Sequence, residues 1–76
     1  MTPARFNECL QLLHWSTETL ASILECDESL TEAYSLGLEE VPSKLAAWLD
    51  TLALVHKVSE SGRPKGLKGK QYTALM

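Results

Sequence analysis

Apolar residues recur at helical intervals along the first three quarters of the chain and then become sparse. Phe6, Cys9, Leu10 and Leu13 fall at i, i+3, i+4 and i+7, which places them on one stripe of a helix. Thr2 can cap that helix, with Pro3 at its first position, where a missing N–H costs nothing. The stripe ends near His14. A second run, about residues 17–25, carries Leu20, Ala21, Ile23 and Leu24; a third, about 28–36, carries Leu30 and Tyr34. Ser16 and Asp27 stand just before these two runs, where their oxygens can accept from the first free N–H groups. Gly37 suits the left-handed position that closes a helix. Pro42 can open a fourth helix running to about Lys57, with Leu45, Trp48, Leu49, Leu52 and Val55 at helical spacing and Ala46, Ala47, Ala53 and Leu54 widening the apolar face.

The pattern predicts an all-α fold: a small four-helix bundle containing a helix-turn-helix, followed by a flexible C-terminal tail. The folded domain is expected over residues 1–58 and the tail over 59–76. Trp48 is expected as the large element of the core, and Leu54 or Val58 as surplus apolar surface through which the fourth helix could form a homodimer. From Ser59 onward, SESGRPKGLKGK offers one apolar residue, Leu67, among glycines, a proline and basic side chains, too little to offset the entropy of ordering.

Seventy-six residues, 45% of them hydrophobic, allow one domain with a core close to the lower limit of self-sufficiency. No apolar run reaches the roughly 18 residues of a membrane span, and the N-terminal residues lack a basic stretch followed by an apolar one, so a cytoplasmic protein without a signal peptide is expected. Cys9 and Cys26 are then reduced and serve as small core residues. With these two cysteines, His14 and His56, no metal-ligand spacing arises, and no metal or cofactor is expected. There is no phosphate-cradling glycine loop, no HExxH and no nucleophile set beside a base, so no catalytic residue is assigned and no enzyme is expected.

Charge changes the picture more than composition does. Residues 1–56 carry Arg5 and Lys44 against nine carboxylates, a net −7; residues 57–76 carry Lys57, Arg63, Lys65, Lys68 and Lys70 against Glu60, a net +4. An acidic body is joined to a basic tail.

The ordered set Trp15-Ser16, Leu20-Ala21, Leu24, Asp27, Tyr34, Gly37 and Val41-Pro42, continued through Leu45 to Ala53, resembles the Cro/repressor-like helix-turn-helix family over about two thirds of the chain. The resemblance implies a third helix that enters the major groove with Glu28, Ser29, Glu32 and Ala33 toward the bases, while Ser16, Thr17 and the loop Leu38-Glu39-Glu40 meet phosphates. The sequence departs from the family at these positions. Asp27 to Leu36 contains no Lys or Arg and three acids, and the following loop adds two more. Duplex DNA carries a charge about every 1.7 Å, and basic side chains supply most of the affinity for it.

Two functions remain. The favoured expectation is protein–protein binding: Thr17, Glu28, Ser29, Glu32, Ala33, Glu39 and Glu40 facing a basic surface and occluding a nucleic-acid-binding partner, as DNA mimics and some anti-CRISPR inhibitors do. The alternative is a DNA-binding transcriptional regulator whose tail cations Arg63, Lys65, Lys68 and Lys70 act as an electrostatic arm.

Overall fold

A computed structural model of the chain describes residues 1–72. Those residues form four α-helices and no strand: α1 (Pro3–Leu13), α2 (Thr17–Leu24), α3 (Glu28–Leu36) and α4 (Ser43–Ser61). Residues 73–76 of the expected tail lie outside the described residues.

Local chemistry sets the boundaries. The Thr2 side chain accepts from the Arg5 N–H at 3.1 Å, Ser16 Oγ from the Thr19 N–H at 3.0 Å, and Asp27 Oδ1 from the Ser29 N–H at 2.9 Å, so α1, α2 and α3 each begin on a side-chain cap. Each of these helices ends on a residue in the left-handed region: His14 at φ 59°, Glu25 at φ 57° and Gly37 at φ 77°. The amide that follows each returns to a carbonyl of the last turn, Trp15 to Leu10, Cys26 to Ala21 and Leu38 to Ala33. At Gly37 a side chain is excluded twice, by the positive φ and by Pro3, whose Cγ lies 3.0 Å from where a Cβ would sit. Pro42 is the residue before α4 rather than its first, and α4 has no side-chain cap. The helix runs to Ser61, almost a turn beyond the expected domain boundary at residue 58.

The core is small and lies between α1, α3 and α4, with α2 held against α3. Phe6, Cys9, Leu10, Leu20, Tyr34, Val41, Leu49 and Ala53 are buried and mutually packed. Phe6 meets Tyr34 edge to face, with ring centroids 5.8 Å apart. Arg5 reaches Asp50 and His14 touches His56, so α1 and α4 run side by side in the same sense. Asn7 ties α1 to α3: its Nδ2 donates to the Ser35 carbonyl at 3.0 Å, and the Ser35 hydroxyl donates back to Asn7 Oδ1 at 2.6 Å.

Several expected core residues sit elsewhere. Trp48 is 38% exposed, leaning on Trp15 with ring centroids 5.9 Å apart, because the centre of the α4 face is taken by Leu49 and Ala53. Leu30 is also largely exposed, and the buried position of α3 beside Tyr34 belongs to Thr31. Ile23 and Leu24 lie at the open end of α2, where no further helix covers them. Cys9 is buried, but Cys26, in the turn between α2 and α3, is only partly so.

These placements rank two aromatic truncations. Phe6→Ala should cost about 3–5 kcal/mol and leave the domain barely folded. Trp48→Ala should cost about 1–2 kcal/mol, since much of its surface is never removed from water. Urea unfolding followed by circular dichroism checks the order; equal losses would mean that Trp48 carries core packing its exposure does not reveal.

Candidate functional site: an acidic helix-turn-helix face

The α2–α3 unit is built on one buried hydroxyl. Thr31 has no solvent exposure, and its hydroxyl proton points to the Thr17 carbonyl at 2.8 Å and the Glu28 carbonyl at 3.0 Å. This contact anchors the first turn of α3 to the first turn of α2. The pattern of apolar residues gives no sign of it, because the partner carbonyl is fourteen residues away in sequence. The only local signal is a β-branched hydroxyl residue at i+4 from Asp27 and i−3 from Tyr34.

With α3 so placed, Glu28, Ser29 and Glu32 are exposed on its outward side. Ala33 is half-buried, and its carbonyl accepts from the Leu38 and Glu39 amides, so it belongs to the closing turn more than to the outward face. Thr17 is half-buried as well; with Glu32, Ser35 and Leu36 it lines an open cleft of about 330 Å³. The expected site therefore divides. Thr17, Glu28, Ser29 and Glu32 gather at the start of α2 and along α3. Glu39 and Glu40 lie past the other end of α3, on a second cleft of about 230 Å³ with Met1, Pro3, Tyr34, Gly37 and Val41.

The first group is more acidic than the expected residues alone. Glu18, in the first turn of α2, lies close enough to repel Glu28. The Glu28 carboxyl is held above its ordinary value, first by partial desolvation, then by the charges of Glu18 and Glu32, by a hydrogen bond that its protonated form can donate to Glu32, and by Asp27. Asp27 is shifted the other way, because the Ser29 backbone and side chain donate to its charged form. One is a cap, stabilised as an anion; the other is an anion crowded by anions.

The two arginines are engaged elsewhere. Arg5, the arginine of the folded body, is held by Glu8 and by Asp50 Oδ1, the latter at 2.8 Å from its Nε. Arg63 pairs with Glu60 at the end of α4. Lys65, Lys68 and Lys70 are exposed in the segment after α4, where Gly66 and Gly69 adopt positive φ and the Lys70 amide closes a turn on the Leu67 carbonyl. Among the described residues no group of His, Cys, Asp and Glu is arranged to hold a metal ion, and no helix is long and apolar enough to cross a membrane.

The crowding of Glu28 has a pH signature. Its folded value is raised, so its ionised form is disfavoured in the folded state; that cost is fully present above the folded value and disappears below the unfolded one. Glu28→Gln should therefore raise Tm at neutral pH, and the gain should vanish as the pH falls through the carboxylate range. A Tm gain that persists in acid would assign the effect to something other than charge.

No protein-family model matches the chain, nor does any curated protein or solved structure.

Proposed function

We propose that the chain works by binding another protein, presenting the outward side of α2 and α3 to a basic surface of the kind that otherwise holds nucleic acid. The observation that carries this reading is the sign of the charge: Glu18, Asp27, Glu28 and Glu32 lie on one helix-turn-helix face, while the nearest arginine is neutralised within its own body. Carboxylates then occupy positions on the partner built for phosphates. Association is steered by charge and weakens with salt. Glu28 and Glu32 are the residues that matter most. A cation arriving between them offsets the like charges that Glu18, Glu28 and Glu32 present to one another. Glu39 and Glu40, in the loop that follows α3, form a separate acidic group. The role is one of occlusion, and no reaction is assigned to it.

A second reading is supported by the helix-turn-helix arrangement together with the basic segment after α4. Here the chain is a DNA-binding regulator of the Cro/repressor-like kind, with Glu28, Ser29, Glu32 and Ala33 toward the bases and Arg63, Lys65, Lys68 and Lys70 supplying backbone contacts. A glutamate can accept from cytosine N4, but five carboxylates at or near the groove oppose docking unless the tail outweighs them.

A gel shift separates the two. The wild-type chain should leave duplex DNA from its own upstream region unshifted at physiological salt. The double variant Glu28→Lys/Glu32→Lys should keep its fold, since exposed substitutions usually cost within about 0.5 kcal/mol. That variant should gain general duplex affinity of at least about tenfold, because it restores the sign that phosphates attract. A sequence-specific shift by the wild type, lost in Glu28→Ala/Glu32→Ala, would overturn the protein-binding reading in favour of the regulator.

A further inference from the structure

The exposed side of α4 carries a second apolar stripe that the core does not use. Leu49 and Ala53 turn inward, flanked by the half-buried Leu45, Ala46, Leu52 and His56. On the other side, Leu54 is 61% exposed, Val55 59%, Val58 61% and Trp48 38%. Ala47 and Thr51 complete this face, which carries no charged residue from Ala47 to Val58; Lys44, one heptad before Thr51, stands at its N-terminal end. Ala47, Thr51, Leu54 and Val58 are spaced by four, three and four residues, the interval of a two-helix seam, and Trp48 and Val55 border them a heptad apart.

We propose that this stripe is the contact between two copies of the chain, with the two α4 helices packed antiparallel. Three features select this occupant and this direction. First, the stripe is self-complementary. In an antiparallel pair Thr51 lies opposite the partner's Leu54, Ala47 opposite the partner's Val58, and Trp48 beside the partner's Val55, so small residues meet large ones in every layer. Second, the charges bordering the stripe match only in that direction. Asp50 and Lys57 occupy the same border position one heptad apart. Antiparallel packing brings like borders together, so Asp50 meets the partner's Lys57, and symmetry makes the pair twice. Parallel packing would set both charges against the apolar border. Third, Asp50 has an oxygen to spare. Its contacts with Arg5 Nε and Cys9 Sγ both use Oδ1, which leaves Oδ2 for the partner's lysine.

Covering the stripe on two copies removes on the order of 1,000 Å² from water, at the lower end for a specific interface. An interface of this size suits a reversible dimer and not an obligate pair. Its residues are separate from Glu28 and Glu32, so pairing through α4 stands or falls independently of what α3 binds.

Sedimentation of the full chain over a micromolar to millimolar series tests this. The wild type should pass from monomer to dimer, with Trp48 emission shifting to the blue as the partner's Val55 covers its open edge. Leu54→Lys should remain monomeric over the same range with an unchanged helical spectrum, and Lys57→Glu should weaken the dimer by at least about tenfold. Orientation is read by oxidising a mixture of Thr51→Cys and Leu54→Cys chains, in which the mixed disulfide should form faster than either homodimeric one. A wild type that stays monomeric at millimolar concentration, a Leu54→Lys variant that still pairs, or faster cross-linking of Thr51→Cys to itself would each overturn the proposal.

Discussion

A single buried hydroxyl decides where the acidic helix sits. Thr31 shares its proton between the Thr17 and Glu28 carbonyls, and through that contact the first turn of α3 is fixed to the first turn of α2. Burying a hydroxyl without a partner costs on the order of 1–3 kcal/mol, a large fraction of what so small a domain can spare. The α2–α3 unit is therefore specific in its geometry in a way that apolar contacts alone would not make it. The Asn7–Ser35 exchange fixes α3 to α1 on its other side. Between these two polar ties α3 has little freedom, and its outward residues are presented by a stiff support.

The same ties shape the electrostatics. Thr31 holds Glu28 near Glu18, and the turn of the helix holds Glu32 near Glu28. The Glu28 carboxyl is held above its ordinary value first by desolvation and then by these neighbouring charges. Arg5 is paired with Asp50 of α4 and with Glu8 of its own helix. This acidic grouping is the basis of the proposed role in binding a basic surface.

The helix boundaries were legible because caps are local. Thr2, Ser16, Asp27 and Gly37 each act within three or four residues of their own position, and each stands where the pattern predicts. The allocation of apolar residues between core and surface was less legible. Periodicity marks a broad stripe on α4 but cannot say that Leu49 and Ala53, rather than Trp48, lie at its centre; that depends on where α1 crosses. Leu30 was expected in the core, but its neighbour Thr31 is the buried residue, and its partner, the Thr17 carbonyl, is remote in sequence. Of the candidate site, the carboxylates were visible in the sequence. Its division into an α2–α3 group and a separate Glu39–Glu40 group was not, since that follows from the length of α3. Nor was the addition of Glu18, which comes from a different helix.

Whether the α2–α3 carboxylates hold a basic protein, as proposed, is tested by capture from extracts of the protein's own cell. The wild-type chain and the Glu28→Lys/Glu32→Lys variant serve as paired baits, with bound proteins identified by mass spectrometry. A strongly basic, nucleic-acid-binding protein should be retained by the wild type at low salt, released as salt is raised, and absent from the variant. A partner retained equally by both baits, or no partner that distinguishes them, would contradict it.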